Sequence, residues 1–471
     1  MKKLLVLLLA TVFALGCFGG CGGIGGTSED ESGDEIKISV GISSSAVENK
    51  LMRQWKASYE EKHPEIKILL RNISEDYTSQ LMSYQYSPST MPDIIWTTDM
   101  QHMKWSDEGV FVNLKSRIER DTADDAIDLN DFYESMIEVT HKSSRDDGIY
   151  FIPRDYNRCV IIINRVVFRH AGFTEDEING LKDDWDYDKL MDVCARLRTA
   201  MDNNLAKDYG VHKDAVPLDA NMDLSASYMP FLKQFGGKLV EDDGSINFMS
   251  EANLNAYGQI YNLIEQGYIA HQGNKNSAKF TVLRAAMRID VRPNVPALPN
   301  TSKYDIDFLP LPLDYVGVGC SGYAISSMAK QRVSSSPYNK TAKRTNEDYA
   351  YDFLKYIVSA EGQKIGAANG NIIPVLKSLA NDESWTTYKS ASLNHAAFVS
   401  NNGEDFSMNV YRDFTPQQAA VIIVNMGNTI AQVIKKENYT DGGAATGYAA
   451  LKEKIGTYQN NVKNYRAAIS N

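Results

Sequence analysis

IKISVGISSSAVENKLMRQWKASYEEKHPEIKILLRNI, residues 36–73, decides the fold. Its first seven residues alternate and are rich in β-branched side chains, which suits a strand. From Val47 to Lys62 the spacing changes, and Leu51, Trp55 and Tyr59 recur every four residues on one face of a helix. HPEIKILLRNI (63–73) restores a strand, Tyr77 to Tyr86 reads as a second helix, and PDIIWTT (92–98) as a third strand opened by proline. The unit is βαβαβ, and it predicts an α/β fold built on open sheets. The alternation continues through FIPRDYNRCVIIINR (151–165), a helix around Trp185 to Met201 and a helix from Ser250 to Gln266. The spacing from Tyr349 to Ser470 predicts a mainly helical end, interrupted by NGNIIPV (369–375). Trp185, opening its helical pattern, reads as a core residue.

Ahead of the first strand, Lys2 and Lys3 precede an uncharged apolar run from Leu4 to Leu15. That is the pattern of a signal peptide, too short to span a bilayer. Either Cys17, after Ala14, Leu15 and Gly16, or Cys21, after Phe18, Gly19 and Gly20, fits the cysteine of a lipobox. Residues 1–21 are therefore expected to be a lipoprotein signal with its lipidation site. GGIGGTSEDESGDE (22–35) has too little apolar content to fold and reads as a flexible tether.

The remaining body is long enough for more than one core, in a chain of 471 residues with 43% hydrophobic content. A net charge of −11 argues against nucleic acid or an anionic lipid surface as partner. Cys159, Cys194 and Cys320 are odd in number and widely spaced, so no disulfide framework is expected. The seven histidines form no HxH or HExxH pair, so no metal site is expected, and no cofactor motif survives inspection. Gly317, Gly319 and Gly322 satisfy GxGxxG, but a strand rather than a helix follows them, so no helix terminus is offered to a pyrophosphate. The acidic stretch 119–131 lacks the glycine of a calcium loop and reads as a solvated face.

The order of motifs resembles the family 1 extracellular solute-binding proteins of ABC transporters, the carbohydrate-binding relatives of maltose-binding protein. The residues that carry this include SYEEKHPEIKI (58–68), MPDIIW (91–96), EGVFVNLKSRI (108–118), YFIPRDYN (150–157) and INRVVFRHAGF (163–173). Later pieces are QFGGKLVEDDGSINF (234–248), FTVLRAAM (280–287), FLPLP (308–312), GCSGYAIS (319–326) and AYDFLKYIVSAEGQK (350–364). The resemblance implies two α/β lobes around a cleft that closes by hinge bending, a carbohydrate ligand, a permease partner and no catalysis. It places one lobe in 36–156 with 317–370 and the other in 157–316 with 371–471. A monomer held to the membrane by its lipid is expected. Crossings between lobes are expected near Asp155–Asn157, Val316–Gly322 and Asn369–Ile373. One departure stands out: RIDVRPNVPAL (288–298) replaces the glycine-rich turn ending in tryptophan that many members carry.

Sugars present apolar ring faces and planar sets of hydroxyls, so their sites pair aromatic platforms with bidentate polar groups. Asp155, Tyr156 and Asn157, beside Arg154, supply both kinds at the first crossing. Trp96 and Asp99 end a strand at the edge where open α/β sheets bind ligands, and Ser43 and Ser44 hold the matching position after the first strand, unless they cap the following helix. Tyr228, Arg292 and Tyr323 complete the candidate set. The competing reading is an exported glycoside hydrolase, for which Asp99 and Asp155 are the best carboxylate pair.

Overall fold

A computed structural model describes residues 34–73, 76–203, 215–220, 222, 225–241, 243–269, 280–407, 413–435, 438 and 449–469. The signal segment, Cys17, Cys21 and most of the tether lie outside these residues. Among the described residues twelve strands order the chain: β1 (Ile36–Ser43), β2 (Ile66–Ile73), β3 (Ile94–Thr98), β4 (Ile152–Pro153), β5 (Asn157–Arg158), β6 (Val160–Asn164), β7 (Val216–Asp219), β8 (Ala285–Asp290), β9 (Ile306–Pro310), β10 (Tyr315–Gly319), β11 (Ser321–Ile325) and β12 (Glu404–Ser407).

They form three sheets, in the orders β2-β1-β3-β11-β4, β7-β8-β6-β9 and β12-β10-β5. In the first, β1 runs parallel to β2 and β3, while β11 returns antiparallel beside β3. Ile36, Ile38, Val40 and Ile42 line one face of β1 and Ser39 and Gly41 the other, and all are buried, as a central strand covered on both faces requires. The helix Ala46–Lys62 covers one face with Leu51, Met52, Trp55 and Tyr59, and the Ser45 side chain caps its start. The Trp55 indole donates to the Gly362 carbonyl at 2.6 Å, so this tryptophan is core without an orphaned N–H.

β6 shows how the second sheet is built. Its sequence VIIIN has no polar alternation because both faces are covered: Val160 and Ile162 join one hydrophobic core, Ile161 and Ile163 the other. Each fully buried aliphatic side chain there is worth about 1.5–3 kcal/mol. The helices Tyr187–Asp202 and Glu251–Glu265, started by Asp186 and Ser250, pack on the second core. Trp185 is half-buried against it, its indole N–H donating to the Pro310 carbonyl at 2.8 Å.

The end of the chain differs from the sequence expectation. Helices Asn346–Val358, Ala360–Ala367, Pro416–Val433 and Ala449–Ile469 form, but between the second and third of these only two short 3-10 helices, the four-residue helix Glu383–Thr386 and β12 appear among the described residues. Asparagine and serine are spread through that stretch, with Pro374 near its start, and Trp385, Phe398 and Phe406 anchor it without a continuous apolar stripe. Ile373 accepts from the Tyr156 amide at 3.1 Å, Leu376 bridges Phe132, and Ser378 binds Asp131.

Where β11 meets β4 the backbones touch. A methyl group on Gly322 would overlap the Ile152 carbonyl oxygen and come within 2.8 Å of the Phe151 ring. Gly322→Ala is therefore expected to lower the unfolding free energy by about 1–3 kcal/mol, because backbone cannot swing aside as a side chain does. Urea denaturation of the variant measures this, and an unchanged midpoint would contradict the close approach.

Candidate functional site

The strand ends next to the chain crossings form the candidate surface. At the first sheet's edge lie Ser43 ending β1, Thr98 ending β3, Ser321 opening β11, and Arg154 following β4. At the second lie Asp219 ending β7, Asp290 ending β8 and Val160 opening β6. The chain passes between them through β5 and β10, which pair antiparallel with Gly319 opposite Asn157 and Val318 opposite Arg158. Carboxyl ends of parallel strands leave room for a ligand because the chain turns away there.

The polar centre of this junction is a buried charge cluster. Arg154, with its side chain 8% exposed, pairs with Glu48 at 2.8 Å and with Asp155 at 3.5 Å. The Tyr323 hydroxyl also donates to Glu48. Asp155 accepts from the Ser321 amide at 2.8 Å and its hydroxyl at 3.1 Å. Desolvation pulls the Arg154 pKa down, but Glu48 and Asp155 outweigh it and the guanidinium is held firmly charged. Its Nε and Nη1 have no hydrogen-bond partner.

Asp99 lies beside this cluster, its amide on the Cys320 carbonyl at 3.3 Å and its carboxyl next to Gly319. Burial, with the Asp155 charge adding to it, pushes its pKa up to about 7. At neutral pH one carboxyl of the pair is thus half protonated and able to donate or accept a hydrogen bond. Trp96 is half-buried in the same sheet, edge-on to Tyr77 at 6.1 Å, and its buried indole N–H has no hydrogen-bond partner. Asn157 is half-buried with an unpartnered Oδ1. Ser43 is half-buried and Ser44 exposed; the helix cap is Ser45.

Other candidates sit inside the protein. Tyr323 is fully buried with its hydroxyl spent on Glu48, and Tyr228 is buried in the second core. Arg292 is fully buried, donating to His395 Nδ1 at 2.8 Å and the Trp385 carbonyl at 2.9 Å within a ring of Trp385, Tyr388 and Phe398. The guanidinium expected to contact a ligand instead fills the space between two chain segments. Tyr156 stacks on Tyr133 with centroids 4.1 Å apart and donates to Asp405 at 3.0 Å. Sequence reasoning missed both Glu48 and Asp405. Glu48 was discoverable in principle, one helical turn past β1; Asp405 had no local signal, since Arg158 reaches it at 2.9 Å from 247 residues away.

Known proteins were compared with this arrangement. Residues 54–392 match the family model for bacterial extracellular solute-binding protein. The chain belongs to that family. No curated protein matches this solute-binding protein by sequence. Among solved structures it is similar to an ABC substrate-binding protein from Listeria monocytogenes in complex with cycloalternan, at 15% identity and TM-score 0.66 over 92% of this chain and 99% of that one. The sugar-binding protein MalE from Xanthomonas citri matches at 14% identity and TM-score 0.66, over 92% and 99%. UgpB from Mycobacterium tuberculosis, in complex with glycerophosphocholine, matches at 14% and 0.63, over 90% and 98%. The fold is that two-lobed fold. Among the described residues no helix is long and apolar enough to cross a membrane, and no cluster of metal-ligating side chains occurs.

Proposed function

We propose that this solute-binding protein is exported, held at the outer face of the membrane through Cys17 or Cys21, and captures a carbohydrate between its lobes for delivery to an ABC transporter permease. The observation that carries the reading is the pairing of Asp99 and Asp155 with the half-buried Trp96 at one sheet end: carboxyl groups for hydroxyls, an indole for a sugar face. The carbohydrate-bound neighbour supports the same class of cargo. Ser43, Ser44 and Asn157 belong to the same proposed surface. The lobes are 36–156 with 317–370 and 157–316 with 371–471, although the bonds of residues 373–378 to 131, 132 and 156 favour moving the last boundary toward β12. Binding acts by population shift: the sugar stabilises the closed form by its differential affinity for it.

A thermal-shift screen against mono- and oligosaccharides tests this, since a ligand at a hundred times its Kd stabilises by about 2.7 kcal/mol. Asp155→Ala is expected to weaken the responding sugar about tenfold or more, by removal of a charged acceptor. No response from any sugar would remove carbohydrate from the reading. A second reading draws on the same pair: a glycoside hydrolase needs two carboxyl groups, one with a raised pKa, and burial raises that of Asp99 to about 7. Release of reducing ends from oligosaccharides would favour that enzyme over pure binding.

A further inference from the structure

A cavity of about 610 Å³ lies away from the carboxylate pair, and none of Ser43, Trp96, Asp99, Asp155 or Tyr228 lines it. Its volume suits a small molecule. It is bounded by residues of both cores, Val139 from one and Met229, Leu239 and Phe406 from the other, and by Tyr315 of the hinge sheet.

The charges on its walls are sorted by sign. Lys233 and Lys238 both come from the 229–240 segment, whereas the acids Glu138, Asp405 and Asp413 come from elsewhere in the chain. Asp405 is committed to Arg158, Tyr156 and Ser135. Asp413 is exposed and accepts from the Ser144 amide at 2.7 Å, which leaves lone pairs on its carboxylate. Lys233 is half-buried with its ammonium 3.9 Å from the Tyr315 ring centroid and 5.0 Å from that of Phe406, and it makes no ion pair among the described residues. Two ring faces compensate only part of the hydration an ammonium loses. Desolvation accordingly lowers its pKa, Glu404 opposing and Lys238 reinforcing the shift. A carboxylate brought to the free side of that ammonium would complete it.

We propose that this cavity is a second binding site, for an apolar α-amino acid in its zwitterionic form. The carboxylate pairs with Lys233, the ammonium meets Asp413, and the side chain lies against Tyr315, Phe406 and Leu239. A sugar has neither the charges for the two walls nor the apolar tail. A simple carboxylic acid leaves the acidic wall unmatched.

Calorimetric titration of the purified protein with L-phenylalanine, in the absence of any sugar, tests this independently of the proposed cargo. Saturable binding is expected, weakened about tenfold or more by Lys233→Met and only a few-fold by Lys233→Arg, which keeps the charge. Asp413→Asn should weaken L-phenylalanine while leaving 3-phenylpropionate unchanged. Urea unfolding establishes that each variant is folded, and Lys233→Gln replaces Lys233→Met if the latter is not. The proposal is overturned if L-phenylalanine, L-leucine and L-methionine give no saturable heat, if the neutral variant binds like the wild type, or if 3-phenylpropionate binds as tightly as L-phenylalanine.

Discussion

Arg154→Met is expected to lower the free energy of unfolding by about 3–5 kcal/mol, the range for breaking a buried pair from one side. The loss is large because the arginine serves two acids. Glu48 and Asp155 have side chains only 5% and 2% exposed, so neither can turn to water once the guanidinium is gone. Tyr323 and Ser321 still donate to them, but neutral donors do not cancel a buried charge. Adding Glu48→Gln to Arg154→Met should recover part of the loss, since it removes one of the two stranded charges. Urea denaturation of the single and double variants measures both terms. A loss below about 1 kcal/mol would mean that the cluster is solvated and open, as surface pairs are.

A second large effect concerns acid. His102 is fully buried and desolvation holds its pKa down at about 3; His395, 3% exposed, is held at about 4 by burial and by Arg292. Both are neutral in the folded protein and charged when unfolded below about pH 6.5. The stability they contribute is present above pH 6.5 and lost as pH falls toward 3 and 4. Asp99 works in the opposite direction. Raised from 3.8 to about 7, it is protonated in the folded state and ionised in the unfolded one across that window, so its contribution is lost as pH rises. Asp290, also raised by burial, shares that sign.

Between pH 5 and 6 two histidines are thus opposed by at least one carboxyl. The net uptake on unfolding is at most about one proton, or about 1.4 kcal/mol per pH unit. Asp99→Asn removes the opposing group, and the slope should rise by about one proton, adding about 1.4 kcal/mol per pH unit. His102→Asn should flatten the profile. Equal slopes in wild type and Asp99→Asn would show that Asp99 does not hold its proton near neutrality.

The strands and long helices were legible because each is a local periodic pattern that packing confirms. β1, the helix Ala46–Lys62, β2 and β3 begin and end within three residues of where alternation and four-residue spacing put them. The strand following Gly322 was legible too, and it removes the dinucleotide reading of the glycines. What spacing could not give was the irregular stretch after Ala367, where isolated large side chains are anchored by partners distant in sequence. The site divides in the same way. That Asp99 follows a strand end and Asp155 a crossing was legible because strand ends and crossings are local facts. Arg292 and Tyr323 could not, because the groups that enclose them, His395 and Glu48, are 103 and 275 residues away. A polar side chain near a crossing looks the same in sequence whether it meets a ligand or a buried partner.

The three free cysteines of the described chain, Cys159, Cys194 and Cys320, are all buried. Burial raises every one of their thiol pKa values, that of Cys159 to about 12. Thiolate is the reactive form, so the folded protein offers a maleimide or an oxidant almost nothing to attack there. In a chain made without Cys17 and Cys21, a single cysteine introduced at each sheet's strand ends would then carry spectroscopic labels against a silent background. Cys159 and Cys320 flank the paired hinge strands, so their own slow alkylation would keep time for the opening of that joint.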